Sequence, residues 1–146
     1  MRVLALDLGS KRIGVAVSDE GERLATPRTV LLRTGDPARD HRRIAELVDE
    51  EEAELVVVGL PLSLDGTDGP AATAARAEVG QLRDALSVPI ELHDERLTTV
   101  TAHRLLAERG LDSRRRRPVV DGAAAAVLLQ SWLDGRRADI RDAGRS

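Results

Sequence analysis

Acidic residues stand beside three predicted elements of this sequence. Asp7 follows one short apolar run, Asp94 and Glu95 follow another, and Asp121 precedes a segment that is nearly all apolar. Carboxylates brought together without a partner repel one another and resist ionisation. A divalent cation removes that conflict, and carboxylate and water oxygens are the ligands that suit Mg²⁺ or Mn²⁺. The pattern therefore predicts a Mg²⁺ or Mn²⁺ site, if the fold brings these acids together.

Each acid also has a purely structural explanation. An Asp at a strand end, such as Asp7, starts a turn by accepting a hydrogen bond from the backbone two residues on. Asp121 is placed to cap the N-terminus of the helix that follows it, which is a frequent use of Asp. Glu95 has Arg96 beside it for a surface ion pair. The choice between the two explanations depends on where the elements lie.

The alternation of apolar and polar residues predicts an α/β chain. Three strands in hairpins come first, followed by helix, strand, helix, strand and two further helices. The predicted strands are 3–7, 13–17, 29–33, 55–58 and 90–93, and the predicted helices are 36–52, 72–86, 98–109 and about 121–133.

This order of elements predicts one five-stranded mixed sheet with helices on both faces, an architecture of the ribonuclease H type. Hairpins give antiparallel pairs, whereas strand–helix–strand units give parallel, right-handed crossovers. Sites in such sheets gather at the carboxyl ends of strands where the strand order switches, and Asp7 ends the predicted switch strand. We expect a single ribonuclease H-like domain over residues 1–135 and a polar tail over 136–146.

Composition limits the function classes. The chain has 146 residues, of which 42% are hydrophobic and 32% charged, a globular balance, and it has no cysteine for disulfides or thiolate chemistry. The apolar stretch 123–129 is too short to span a bilayer, so no membrane partner is expected. Arg2 leads straight into strand-like sequence rather than a signal peptide, which favours a cytoplasmic protein. The net charge is −3 and Trp132 is the one aromatic residue, so any nucleic acid must be gripped through its backbone and shape.

Four blocks of this sequence resemble the YqgF/RuvX family, in the family's order and over essentially the whole chain: ALDLGSKRIGVAVSD, VVGLPLSLDGTDGP, HDERLTTVTAHRLL and VVDGAAAAVLLQSWL. The resemblance implies a ribonuclease H-like fold in a small cytoplasmic bacterial protein. Members are described as nucleases that mature the 5′ end of pre-16S rRNA, or as Holliday junction resolvases. By position, the family's acidic sites fall on Asp7, Glu95 and Asp121, and Asp94 stays the alternative to Glu95. Gly122 stands where Ala is common, which is expected to loosen the first turn of the last helix.

We therefore predict metal-assisted phosphodiester hydrolysis on structured RNA such as pre-rRNA, or on branched DNA, for which a homodimer would supply the two sites of a resolvase. An actin-like phosphotransferase shares the Asp-x-Gly turn, but it needs two such domains and the chain is too short. A protein that keeps the fold and binds RNA or ribosomes without catalysis is the remaining alternative.

Basic residues near these acids are the predicted phosphate contacts. Lys11, Arg12 and Arg96 lie within the acid-bearing motifs, and Arg96 has pairing with Asp94 as its alternative role. The run Arg114, Arg115, Arg116 and Arg117 cannot pair wholly with local acids and is expected at the rim of the site. The glycine-containing loop 60–70 is either a mobile segment that faces the substrate or a rigid connector.

Overall fold

The computed structural model describes residues 1–109 and 122–143. Within these residues, five strands and four helices follow one another in the predicted order. The strands are β1 (Val3–Leu8), β2 (Arg12–Ser18), β3 (Ala25–Leu32), β4 (Leu55–Leu60) and β5 (Ile90–Asp94). The helices are α1 (Pro37–Glu50), α2 (Pro70–Ala85), α3 (Thr98–Arg109) and α4 (Ala123–Ala143), and a 3₁₀ turn, Glu95–Leu97, joins β5 to α3.

The strands form one mixed sheet in the order β3-β2-β1-β4-β5. The pairs β1–β2 and β2–β3 are antiparallel, whereas β1–β4 and β4–β5 are parallel. The predicted fold class, a five-stranded mixed sheet of the ribonuclease H type, is confirmed. β1 is the central strand and has an antiparallel neighbour on one side and a parallel neighbour on the other.

Side chains alternate between two cores along β1. Leu4 and Leu6 pack against α1 and α2 on one face of the sheet, and Val3 and Ala5 pack against α4 on the other. All four are fully buried. Asp7 continues the second series and therefore faces α4, since side chains alternate between the faces of a strand.

Two element boundaries differ from the predicted ones. β3 begins at Ala25 rather than Thr29, although Pro27 lies inside it. Pro27 is tolerated because β3 is an edge strand and the β2–β3 register shifts at Val15/Ala16. The second difference is α4, which runs to Ala143 instead of ending near Leu133.

Polar contacts anchor the additional part of α4. Arg136 lies over the Trp132 ring, 5.3 Å from its centroid, and pairs with Glu22 at 3.2 Å. Arg137 donates to the Arg23 carbonyl at 2.6 Å. A polar sequence therefore stays helical here because the β2–β3 hairpin offers partners to its cations. Within the described residues, no helix combines the length and the apolar character that crossing a bilayer requires.

Candidate active site

Asp7 lies near the carboxyl end of the central strand, with glycines as its lateral neighbours. It pairs with Gly14 of β2, and Gly59 of β4 is the next residue in the parallel ladder after Leu6↔Val58. A Cβ added at Gly14 would lie 3.5 Å from the Cβ of Asp7, which is ordinary contact. Because both lateral neighbours are glycines, the adjacent strands place no side chain beside the half-buried carboxylate.

Glu95 approaches Asp7 from the parallel side of the sheet. It is the first residue of the 3₁₀ turn after β5, and its carboxyl group lies directly over Gly59. A Cβ at position 59 would lie 2.5 Å from Glu95 Oε1, closer than real Cβ contacts come. Only glycine at this position allows the Glu95 carboxyl group to stay where it is.

Both carboxyl groups are electrostatically unfavourable as anions. Burial raises the pKa of Asp7, and burial followed by the charges of Asp7 and Asp94 raises the pKa of Glu95. Neither side chain accepts a hydrogen bond from the residues that the structure describes. Two neighbouring oxygen donors with unmet negative charge fit a hard divalent cation such as Mg²⁺ or Mn²⁺.

Asp94 is used differently from Glu95. Arg96 donates to its carboxylate from both Nε and NH2, at 2.9 and 2.6 Å, and these hydrogen bonds lower the pKa of Asp94. Of the two adjacent acids, Glu95 is therefore the one with a free carboxylate beside Asp7. Arg96 adopts the pairing that the sequence left open as its alternative role.

Arg96 also ties the loop after β4 to the acid-bearing turn. Its NH1 donates to the Leu64 carbonyl at 3.3 Å, and its guanidinium packs on Gly66, whose φ of +86° favours glycine. Asp65 accepts from the Thr67 amide and hydroxyl at 3.0 and 2.6 Å. These contacts agree with the rigid-connector alternative for the loop.

A cavity of about 500 Å³ opens beside Asp7, on the side away from Glu95. The β1–β2 turn and the start of α4 form its walls, and residues of β2 and β3 form its floor. The turn contributes Lys11 and Arg12, both exposed and without a carboxylate partner in the described parts of the chain. The structure thus brings two of the predicted phosphate contacts to Asp7.

Gly122 lines this cavity, and its position contradicts the expectation that it loosens the first turn of the last helix. The residue has a φ of +83° and precedes α4 rather than lying in its first turn, so it does not loosen the helix. A Cβ there would lie 3.0 Å from the Val15 carbonyl oxygen and 3.4 Å from that of Thr29. Glycine is therefore needed both for the backbone conformation and for the close approach to the β2–β3 bulge.

Other predicted site residues lie outside the described residues: Asp121, Arg114, Arg115, Arg116 and Arg117. Among residues 1–109 and 122–143, no group of three or more His, Cys, Asp or Glu side chains is arranged to hold a metal ion. Asp7 and Glu95 are thus the acids of the predicted set that the structure brings together.

The sequence prediction missed the two glycines that make room for the acids. Gly14 lies inside the alternating segment of β2, and Gly59 interrupts the apolar run of β4. An isolated glycine inside a strand signals a close approach of another group, so this signal was present. What approaches Gly59 could not be read from the sequence, because Glu95 lies far along the chain.

The chain is similar to known proteins in sequence and in fold. A family model described as "RuvX: Holliday junction resolvase" matches residues 1–135. A protein of Anaeromyxobacter dehalogenans (strain 2CP-C), named "Putative pre-16S rRNA nuclease", is 49% identical over 136 residues, covering 93% of this chain and 98% of its own. One of the same name from Pelotomaculum thermopropionicum is 46% identical over 144 residues, covering 99% and 94% of the two chains.

Among solved structures, the chain is similar to Thermus thermophilus RuvC in complex with a Holliday junction substrate. The TM-score is 0.63 at 19% identity, with 94% of this chain and 96% of the other covered. Another Thermus thermophilus RuvC structure gives 0.61 at 18% identity, with 94% and 97% covered. At this identity the likeness concerns the fold.

Proposed function

Because the chain belongs to the RuvX family over residues 1–135, we propose that it is a metal-dependent nuclease that processes the 5′ end of pre-16S rRNA. The observation that carries the proposal is the pair of neighbouring carboxylates, Asp7 and Glu95, whose pKa values are both raised and whose oxygens lack hydrogen-bond donors in the described chain. The names of the relatives at 46–49% identity supply the substrate. The family resemblance implies the bacterial cytoplasm as its location.

Asp7 and Glu95 are the residues that would hold Mg²⁺ or Mn²⁺, with Asp121 as the third carboxylate. Asp121 is bonded to Gly122, and Gly122 Cα lies 3.9 Å from the Cβ position of Gly14, beside Asp7. When bound, one or two such ions supply an activated water and stabilise the departing oxygen of the phosphodiester. The central position of β1 fixes Asp7 from both sides, which keeps this acid in place without a hydrogen bond to its carboxylate.

Cations at the rim would hold the phosphates that flank the scissile bond. Lys11 and Arg12 line the cavity next to Asp7, and we propose the same role for the run Arg114–Arg117. Arg96 is instead held by Asp94 and the Leu64 carbonyl. Phosphate contacts of this kind position a substrate without reading its sequence. That suits a protein whose composition offers few aromatic residues for base stacking.

A second candidate is cleavage of branched DNA, favoured by the description of the matching family model as a Holliday junction resolvase. A resolvase makes two cuts and needs two sites, which a homodimer would provide. The two candidates share the same acids and differ in substrate.

The deciding experiment is a cleavage assay with Mn²⁺ on two labelled substrates: an RNA that carries the pre-16S 5′ leader and a four-way DNA junction. We expect cleavage of the RNA, dependence on the metal, and loss of cleavage in Asp7→Asn. Preferential cutting of the junction, with dimers in solution, would establish the resolvase instead. Binding of the RNA without cleavage of either substrate would contradict the nuclease proposal and favour a non-catalytic RNA-binding protein.

A further inference from the structure

A network of charged side chains holds the β1–β2 turn from the face of the sheet opposite α4. Arg33, directly after β3, donates from Nε to the Gly9 carbonyl at 2.7 Å. Its main-chain amide donates to the Lys11 carbonyl at 2.9 Å. One residue thus contacts the turn through both its side chain and its backbone.

The other edge of the Arg33 guanidinium is fixed by helix α2. NH1 and NH2 donate to the two carboxylate oxygens of Glu78 at 2.9 and 2.8 Å, a bidentate pair. His41 of α1 contacts Glu78 Oε2 through Nε2 at 2.9 Å. The side chains of Arg33, Glu78 and His41 are 21%, 16% and 5% exposed, so the cluster is largely shielded from water.

Ion pairing alone does not explain this arrangement. A buried ion pair is weak evidence for stability, because well-packed apolar residues of similar size are often as stable. The geometry of the donors is more informative: the planar fork holds Glu78 while Nε remains directed at the turn, which a lysine ammonium cannot reproduce. Apart from Arg33, the turn is held by the Gly9 amide, which donates to the carbonyls of Asp7 and Arg12 at 3.2 and 2.9 Å. Side-chain packing adds little, since residues 9–12 are all exposed.

We propose that Arg33, held by Glu78, is a positioning residue that fixes the β1–β2 turn so that Lys11 and Arg12 meet the substrate phosphates. The expected change in KM rests on the proposed nuclease function, whereas the fixing of the turn does not. Asp7 is held by its neighbours in the sheet rather than by Arg33. Loss of the contact should therefore weaken substrate binding and leave the chemical step nearly unchanged.

The test compares Arg33→Lys with Arg28→Lys. Arg28 lies on β3, the strand that Arg33 follows, and it also pairs with carboxylates: that of Glu50 in α1 and that of Glu51, the next residue. Arg28 does not touch the turn. We expect Arg33→Lys to raise KM for the RNA at least fivefold and change kcat less than twofold. We expect Arg28→Lys to change neither. Glu78→Gln, which keeps the volume and weakens the grip on Arg33, should act in the same direction with a smaller rise in KM.

Hydrogen exchange provides a readout that does not need activity. The amides of Gly9 and residue 33, which donate to the carbonyls of Arg12 and Lys11, should exchange at least fivefold faster in Arg33→Lys. Amides of the central strands β1 and β4 should exchange as in the unmodified protein. A merely structural role would lower the melting temperature without this local change.

Three outcomes would overturn the proposal: unchanged exchange at the turn, an equal effect in Arg28→Lys, or a loss of kcat with KM unchanged. If the unmodified protein cleaves neither RNA nor DNA, the proposed function has failed separately. The exchange rates and the metal-free Kd for a labelled RNA hairpin then decide the role of Arg33. An unchanged Kd in Arg33→Lys would count against it.

Discussion

The carboxylates on the two faces of the sheet are in opposite environments. On the α1/α2 face, Glu78 accepts hydrogen bonds from Arg33 and contacts His41, and these partners outweigh burial and lower its pKa. On the α4 face, Asp7 and Glu95 have no such donors in the described chain, and burial raises the pKa of both.

This difference separates two uses of acidic residues in one small domain. A carboxylate whose charge is satisfied by the protein fixes structure, as Glu78 fixes Arg33. A carboxylate whose charge the protein leaves unsatisfied, next to a second one, lowers stability, and a bound cation would remove that cost. The contrast is therefore a stronger indication of a metal-binding site than the mere presence of acids near a strand end.

The largest expected effect comes from Asp7→Asn, which removes the central charge at nearly constant volume. A catalytic metal contributes several kcal/mol to transition-state stabilisation, so cleavage should fall by at least about 100-fold. At 100 times its Kd, Mn²⁺ should stabilise the unmodified protein by about 2.7 kcal/mol and thereby raise its melting temperature. That increase should disappear in the variant. An Asp7→Asn protein that cleaves like the unmodified one would remove Asp7 from the site.

The adjacent acids Asp94 and Glu95 allow a matched comparison. Glu95→Gln should reduce cleavage by about the same factor as Asp7→Asn, because it removes the second unsatisfied charge. Asp94→Asn should change cleavage less than about threefold and cost at most about 1 kcal/mol, the upper range for a surface ion pair. Single-turnover cleavage and thermal unfolding measure the two effects. The reverse order would assign the site to Asp94.

Gly59→Ala tests whether the position of the Glu95 carboxyl group matters. The new Cβ would displace Glu95, and a misplacement of about 1 Å can reduce a rate by up to 10²-fold. Gly80→Ala is the control, since a Cβ at Gly80 meets nothing within 4 Å and replaces a glycine inside helix α2. We expect a slower cleavage rate in the first variant and an unchanged rate in the second. Equal rates in both would show that Glu95 tolerates displacement.

The sequence was sufficient to predict the sheet, because hydrophobic periodicity and hairpin signals are local. The length of α4 was not predictable, because its polar end depends on Glu22 and Arg23 of the distant β2–β3 hairpin. The same limit applies to the site. Asp7 and the pair Asp94 and Glu95 follow from strand ends, although the strand end alone left open which of the pair belongs to the site. Arg33 and Glu78 are separated by 45 positions and carry no local signal.

The smallest expected effects are changes in stability without metal. Replacing the carboxylate by an amide should stabilise the protein on the α4 face and destabilise it on the α1/α2 face. Replacing Asp7 by Asn removes an unfavourable charge and should raise the melting temperature by a few degrees at pH 7. Glu78→Gln weakens hydrogen bonds to a charged group and should cost about 1–3 kcal/mol. Thermal unfolding in EDTA gives both values. Destabilisation by Asp7→Asn would mean that the protein already satisfies this carboxylate.

The pH dependence of that gain gives a second, finer test. An acid whose pKa is raised in the folded state binds its proton first there, so folding gains stability as the pH falls through the folded pKa. The advantage of Asp7→Asn over the unmodified protein should therefore be largest at pH 7 and shrink as the pH falls toward the ordinary Asp value of 3.8. His93, whose pKa burial lowers, costs stability over part of the same range in both proteins. For this reason the difference between the two unfolding free energies is the quantity to measure. A difference that stays constant from pH 7 to pH 4 would contradict a raised pKa at Asp7 and, with it, the contrast between the two faces.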